Sequence, residues 1–135
     1  MSTPDVLFER LRQFRTSWPK AGWSWDNRLS CAASSFGVEL VRDAHAVVSQ
    51  ALPNEWTMKN LAGAPATVRD IAQTTGGIRP DQFLLSSEAH GRLVAYALWW
   101  PWGDDVTISL RVGLAGYASE ADWGRFREIF GIAEV

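Results

Sequence analysis

The side chains with the strongest potential for nucleophilic or metal chemistry are one cysteine and two histidines, Cys31, His45 and His90. Their wide separation along the chain fits no compact pattern of metal ligands, and no local motif supports a Cys–His nucleophile pair. His45 shares a helical side with the apolar residues Val41 and Val48, so we predict that it is partly buried with a polar partner. His90 lies in a tight turn between two predicted strands, where we predict that solvent reaches it. We therefore predict no catalytic residue, no metal site and no cofactor.

Two carboxylates and a serine offer further candidates for chemistry. Asp104 and Asp105 follow Trp102, an arrangement that could bind a cation or hold a sugar hydroxyl against an aromatic ring. Adjacent carboxylates in a hairpin connection more commonly act as solvated turn formers, and we favour that interpretation. Ser24 follows Gly22 but lacks the second glycine of a nucleophile elbow, and the sequence contains no glycine-rich phosphate loop. These patterns disfavour an enzyme.

Tryptophan is unusually frequent, with eight residues in a short chain. Indole combines a large apolar ring with one N–H donor, which suits both protein cores and recognition surfaces. We predict that most of the indoles are buried, since large apolar side chains mostly pack inside proteins. The eight residues are Trp18, Trp23, Trp25, Trp56, Trp99, Trp100, Trp102 and Trp123.

The composition indicates one compact domain spanning residues 1–135. With 47% hydrophobic residues and a formal net charge of −2, the chain has enough apolar material for a core and no general attraction for nucleic acid. A single cysteine excludes an intramolecular disulfide framework and fits a reducing compartment. No apolar run reaches the ~18 residues of a membrane span, and the first residues lack the pattern of a secretion signal. We therefore predict a cytoplasmic protein without a membrane or nucleic-acid partner.

Four helices are predicted from apolar residues that recur at helical spacing. Pro4 follows the capping hydroxyl of Thr3 in the first helix, and the hydroxyl of Ser119 can cap the last. The second helix has the broadest apolar face, so we expect it to be central. The predicted ranges are 3–18, 36–52, 65–75 and 119–130, the second helix following Ser34 and Ser35 directly.

The hydrophobic period becomes strand-like after the third helix, which predicts strands over 82–88, 92–100 and 105–114. Both connections have the length and the residue types of hairpins, so the strands should form an antiparallel meander with the second strand in the middle. Residues 20–33 alternate only briefly, and we predict a loop there with at most an edge strand. The predicted fold is α+β: a three-stranded antiparallel β-meander packed on one face by about four helices, in the order α-α-α-β-β-β-α.

Hairpin pairing sorts the strand residues onto two faces of this sheet. We pair Glu88 with Arg92 and Trp100 with Asp105. These pairings place uncharged, mostly apolar side chains on one face: Phe83, Leu85, Leu93, Ala95, Ala97, Trp99, Val106, Ile108, Leu110 and Val112. The other face is mixed, and its central row is apolar: Val94, Tyr96, Leu98 and Trp100. The clean apolar face supports the register, because a slip of one residue would move every side chain to the opposite face.

An aromatic row with a polar rim has the composition of a protein-contact surface, provided that no helix covers it. The predicted partner-binding residues are Tyr96, Leu98, Trp100, Trp102, Arg92 and Arg111. In the absence of a catalytic pattern, we predict a small protein-binding domain that masks or inhibits a partner protein. A bacterial immunity protein acting on a toxin or effector would have these properties.

Two alternatives stay open on the sequence alone. A small-molecule or carbohydrate binder, in the extreme a weak enzyme, would need a deep pocket lined by tryptophan rings and a few converging polar groups. A homodimer would bury the mixed face against a second copy across a two-fold axis.

Overall fold

The protein is described by a computed structural model over residues 3–20 and 22–132. Its strands are β1 (Ser24–Asp26), β2 (Cys31–Gly37), β3 (Asn54–Trp56), β4 (Phe83–Ser86), β5 (Leu93–Pro101) and β6 (Thr107–Gly116). Its helices are α1 (Pro4–Ser17), α2 (Val41–Ala51), α3 (Ala66–Thr74) and α4 (Glu120–Ile129). The six strands form one sheet in the order β1-β2-β6-β5-β4-β3, and every pair of neighbours is antiparallel. Among the described residues, none of the helices has the length and apolarity that crossing a bilayer requires.

The α+β class is confirmed, but the predicted three-stranded meander is wrong. The predicted strands correspond to β4, β5 and β6, and three more strands extend the sheet on both sides. The sequence hides β2 because small residues occupy most of its positions: Ala32, Ser34 and Phe36 face the core and alternate with Ala33 and Ser35. Within 20–33, residues 24–26 form the edge strand β1, and three residues after α2 form the opposite edge strand β3.

The hairpin registers differ from the predicted ones by even numbers of residues. Leu85 pairs with Ala97, two residues beyond the predicted Ala95, and Ala97 pairs with Val112, four residues from its predicted partner. Because both shifts are even, the predicted apolar face keeps its members, except that Val106 lies in the β5–β6 turn and is exposed. The predicted faces are therefore correct apart from Val106, although the predicted residue pairs are wrong.

The first face of the sheet carries the main core, which packs against α1, α2 and α4. The helix α1, and not the predicted second helix, is central, because α1 contacts both α2 and α4. Aromatic rings form a connected network in this core, where Trp18 contacts Phe14, Trp23 and Phe36 at centroid distances of 5.3, 5.5 and 5.4 Å. The indole N–H of Trp18 donates to Ser34 Oγ at 3.1 Å, which satisfies the one polar atom of the ring inside the core.

The second face of the sheet is only half covered, by α3. The residues that pack together there are Val68, Ile71 and Ala72 from α3, with Leu84, Tyr96 and Leu98 from the sheet. We call this region, formed by β3, β4 and β5 beneath α3, the covered half. The residues of this face on β1, on β2 and on β6 as far as Gly113 form the open half: Ser24, Asp26, Cys31, Ala33, Ser35, Gly37, Thr107, Ser109, Arg111 and Gly113. The prediction that the helices pack on one face is therefore wrong for α3.

Tyr96 stands at the boundary between the two halves. It pairs with Gly113 across β5 and β6, and its ring lies over that glycine. A Cβ atom at Gly113 would lie 2.6 Å from the Tyr96 hydroxyl oxygen. Glycine is required here because any side chain would displace the tyrosine ring.

Candidate protein-binding surface

The turn between β5 and β6 is held in place by one aspartate. The Asp104 carboxylate accepts hydrogen bonds from the N–H groups of Val106 and Thr107, at 3.0 and 2.9 Å, and from the Thr107 hydroxyl at 2.8 Å. The Val106 N–H, together with both donors of Thr107, lowers the pKa of the Asp104 carboxyl. The interpretation of Asp104 as a turn former is confirmed.

The backbone of this turn is fixed in two further ways. The N–H of Trp102 donates to the Thr107 carbonyl at 2.8 Å, which closes the hairpin. Asp105 adopts a left-handed conformation with φ of 61°, a geometry that aspartate tolerates better than most residues. The side chains on the turn are therefore presented on an ordered backbone.

Three apolar side chains are exposed at this end of the sheet. Trp102 is 52% exposed, Val106 is 55% exposed, and Val38, directly after β2, is 46% exposed. The N–H of Val38 donates to the Val106 carbonyl at 2.9 Å, which holds the two valines beside each other. We call Val38, Trp102 and Val106 the turn patch. Exposed apolar side chains gathered at one end of a sheet are typical of protein-contact surfaces.

Carboxylates accompany the turn patch. Asp104 and Asp105 lie in the same turn, and Glu39 follows Val38; all three are exposed. Among the described residues, no ion pair involves any of the three. The turn patch is therefore apolar with a negatively charged rim.

An ordered group of charged and aromatic side chains occupies the centre of the open half. Arg111 Nε donates to Asp26 Oδ2 at 2.8 Å, and the Arg111 guanidinium carbon lies 5.1 Å from the centroid of the Trp100 ring. Arg111 also donates to the Ser109 hydroxyl. Both partners of the ion pair are largely buried, with side-chain exposures of 21% for Arg111 and 13% for Asp26. Several contacts therefore fix the guanidinium group in one position.

Asp26 is stabilised in its charged form. Burial by itself would raise the pKa of this carboxyl, but the hydrogen bond and positive charge of Arg111 and the N–H groups of Leu29 and Arg28 outweigh it. Those two N–H groups donate to Asp26 Oδ1 at 3.1 and 2.9 Å. The net result is a pKa below the ordinary value of 3.8, so the ion pair is intact at neutral pH.

Two of the predicted partner-binding residues do not reach the surface. Tyr96 is 6% exposed and Leu98 is 2% exposed, because α3 packs over the row that we expected a partner to contact. Arg92 lies at the far end of β5 from the turn patch. It donates to both carboxylate oxygens of Asp122, at 2.7 and 2.8 Å, at the N-terminus of α4.

The other predicted residues stay accessible. Trp100 and Arg111 are partly exposed and contact each other, and Trp102 projects from the next turn. The structure adds Asp26 and Val38, which the sequence analysis did not select. The alternation around Trp25 is the signal that could have placed Asp26 on a strand, whereas nothing local distinguishes Val38 from a core valine.

The Cys31 thiol is unreactive, and the His45 imidazole has a polar partner. Burial, with a smaller contribution from the Asp26 charge, raises the pKa of the Cys31 thiol to about 12, so it is not a nucleophile at neutral pH. His45 is partly buried, and its Nε2 lies 2.9 Å from Glu55 Oε1, which confirms the predicted polar partner.

His90 was expected in solvent, and that prediction is wrong. The imidazole is fully buried, and neither ring nitrogen has a hydrogen-bond partner among the described residues. The β4–β5 turn packs on the start of α1, where a Cβ on Gly91 would lie 3.1 Å from Pro4 Cδ. Burial, aided by the positive charge of Arg10, lowers the pKa of His90 and keeps the ring neutral.

The grooves of the molecule differ from the deep tryptophan-lined pocket that a small-molecule binder would need. A groove of about 460 Å³ between α1 and α2 is lined by polar residues such as Arg10, Gln13 and Gln50, and by no tryptophan. Trp100 lines a smaller groove of about 260 Å³ beside Gly76. Neither of these two grooves is lined by more than one tryptophan.

Neither metal chemistry nor a relationship to another protein assigns a function to this surface. Within residues 3–20 and 22–132, no three His, Cys, Asp or Glu side chains converge closely enough to hold a metal ion. Comparisons of the chain with protein-family models, with curated proteins and with solved structures find no match.

Proposed function

We propose that this chain is a protein-binding domain that masks a partner protein and docks through the turn patch and the adjoining open half. The observation that carries the proposal is an exposed indole and an exposed valine on a turn that Asp104 already holds in place, with exposed Val38 hydrogen-bonded to that turn. A preorganised surface loses little conformational entropy on binding, and tryptophan is enriched among the residues that dominate binding energy. Trp102 is the expected anchor.

The open half supports a protein partner over a small ligand. Its side chains are mostly small, so the backbone of a partner can approach the sheet closely. Arg111, held by Asp26 against the ring of Trp100, provides a rigid polar and aromatic contact beside that flat surface. Arginine and aromatic residues on a largely flat surface are the composition of a protein interface.

The negative rim indicates the charge of the partner. Asp105 and Glu39 border the turn patch without an ion-pair partner among the described residues. Complementary charges across an interface accelerate encounter and disfavour wrong partners. We expect a toxin or effector protein that offers an apolar pocket bordered by lysine or arginine side chains.

A binding experiment with Trp102→Ala tests the proposal. The proteins encoded beside this gene are purified, and their dissociation constants with the chain are measured by calorimetry. For the partner found in this way, we expect Trp102→Ala to weaken binding by at least tenfold, because it removes a central anchor. Raising the salt concentration should weaken binding further, since salt screens the rim charges.

Met58→Ala is the matched control for this experiment. Met58 is apolar and 55% exposed, close to the 52% of Trp102, but it lies in the loop after β3, so its truncation should leave the dissociation constant unchanged. Equal effects of the two substitutions, or the absence of binding by every tested protein, would contradict the proposal. A chain that sediments as a dimer at micromolar concentration, and as a monomer after Trp102→Ala, would show that the surface binds a second copy and would also overturn it.

A further inference from the structure

A groove lined by both polar and apolar residues lies between α3 and the end of β6, at the opposite end of β6 from the turn patch. It has a volume of about 390 Å³, within the range of small-ligand sites. Thr67, Asp70 and Thr74 form one stripe of α3 along its wall, since residues three and four positions apart share a helix face. Tyr96 and Tyr117 line the groove from the sheet side.

Polar groups in this groove lack partners. Tyr96 lines the groove with its ring, and its hydroxyl, which lies over Gly113, makes no hydrogen bond with any described residue. The carboxylate of Asp70 and the hydroxyl of Thr67 also make no ion pair or hydrogen bond within the described part of the chain. A ligand that lies against α3 could satisfy the Asp70 carboxylate and the Thr67 hydroxyl together.

The charge and the aromatic ring of the groove indicate the chemistry of that ligand. Asp70 is the one charged residue among those that line the groove, and no lining residue is basic. The Tyr117 ring, 84% exposed at the rim, offers its face to solvent. A carboxylate beside an exposed aromatic ring suits a cation, which gains both an ion pair and a cation–π contact.

We propose that this groove binds a protonated amine or a guanidinium group carried on a short alkyl chain. Asp70 acts as the counter-ion, Tyr117 covers the cation, and the hydroxyl of Thr67 hydrogen-bonds to it or to its chain, while the ring of Tyr96 forms part of the wall. The cation has two sources with the same chemistry, a free amine or the side chain of a lysine or arginine in another protein. This site is separate from the turn patch, because β6 is ten residues long, about 30 Å at roughly 3.3 Å per residue.

Titration with small guanidinium compounds tests this site directly. Backbone amide shifts of the chain are followed by NMR during addition of N-acetyl-arginine amide and, in parallel, of its uncharged isostere N-acetyl-citrulline amide. We expect the arginine compound to shift the amides of Ala115, Gly116 and Tyr117 with saturation. The citrulline compound should bind at least fivefold more weakly. Equal binding of the two compounds, or no saturable shift with the arginine compound, would overturn the proposal.

Asp70→Asn and Asp81→Asn form a matched pair of variants. Both residues are exposed, but only Asp70 lines the groove. We expect Asp70→Asn to weaken binding of the arginine compound at least fivefold and Asp81→Asn to leave it unchanged. Similar losses in both variants would show that only the overall charge attracts the ligand, and the site would be withdrawn.

A comparison of agmatine with the tripeptide Gly-Arg-Gly distinguishes the two sources. Tighter binding of agmatine indicates a free amine, and tighter binding of the tripeptide indicates the side chain of a protein; each outcome supports the shared chemistry. Failure of both compounds to bind would contradict it. Because these readouts do not involve Trp102, they separate this site from the proposed function.

Discussion

The covered half and the open half of the second sheet face differ in what stabilises them. In the covered half, apolar side chains of α3 exclude water from Leu84, Tyr96 and Leu98. In the open half, small side chains surround the ion pair of Asp26 and Arg111, and solvent reaches part of the surface. Two neighbouring regions of one sheet are therefore built on different interactions.

The difference indicates that the covered half contributes more to the free energy of folding, whereas the open half is available for binding. Burial of apolar area dominates folding energy, so the covered half should be sensitive to the loss of even a few methyl groups. Small residues bury little apolar area, and the attraction within a largely buried ion pair is offset by the cost of desolvating its charges, so the open half should contribute less to folding energy than the covered half. The following predictions test this contrast.

The largest effect is expected for Leu98→Ala in the covered half. Leu98 is 2% exposed beneath α3, and its truncation leaves a cavity that costs about 2–5 kcal/mol of unfolding free energy. Ser35→Ala in the open half, at an exposed position, should change stability by less than about 0.5 kcal/mol. Urea denaturation of both variants measures the contrast, and a loss below about 1 kcal/mol for Leu98→Ala would contradict it.

A smaller effect is expected at the boundary between the halves, for Gly113→Ala. The new Cβ atom would meet the Tyr96 ring, whose hydroxyl oxygen would be 2.6 Å away, so overpacking should cost about 1–3 kcal/mol. In a Tyr96→Leu background the nearest ring atoms are gone, and the same substitution should cost little. A double-mutant cycle measured by urea denaturation should give a coupling of about 1 kcal/mol or more; additive effects would show that the two residues do not meet.

The smallest effect is expected for Asp26→Asn in the open half, about 1–2 kcal/mol at neutral pH. The charged carboxylate is preferred in the folded protein, since its pKa lies below 3.8. Its contribution is therefore present above that value and is lost as the pH falls through the lower pKa of the folded state. Denaturation at pH 7, 5 and 3 should show the variant and the parent chain converging only at the lowest pH.

His90 is the internal control for this pH series, because it lies outside both halves. Burial lowers its pKa below the ordinary 6.5, so protons bind the unfolded chain first and stability falls as the pH drops below about 6.5. This loss should be the same with aspartate or asparagine at position 26. Convergence of the two chains already at pH 5 would contradict the role assigned to Asp26.

The sequence predicted which residues of β4, β5 and β6 share a face of the sheet, but it did not predict the strand β2 that pairs with β6. Leu85, Ala97 and Trp99 sort to the core face in any register that differs by an even number of residues, so the prediction did not depend on the exact turn length. β2 escaped prediction because alanine and serine fill both of its sides until Phe36, and burial there depends on the neighbouring strand β6.

The surface was predictable only where local sequence determines it. The turn containing Asp104 and its exposed Trp102 follow from hairpin chemistry, whereas burial of His90 depends on the approach of α1 from a distant part of the chain. Coverage of Leu98 likewise depends on where α3 docks. Alternation within a strand identifies which side chains share a face, but tertiary contacts decide whether that face meets water.

The arrangement of the indoles has a spectroscopic consequence. Trp18, Trp23 and Trp99 belong to the connected ring network of the core, where neighbouring rings quench and exchange excitation. Trp102 makes no ring contact among the described residues and is 52% exposed, so it should emit at longer wavelength than the core indoles. Emission collected on the long-wavelength side of the spectrum is therefore weighted toward Trp102, so the fluorescence of the native chain reports on events at the β5–β6 turn.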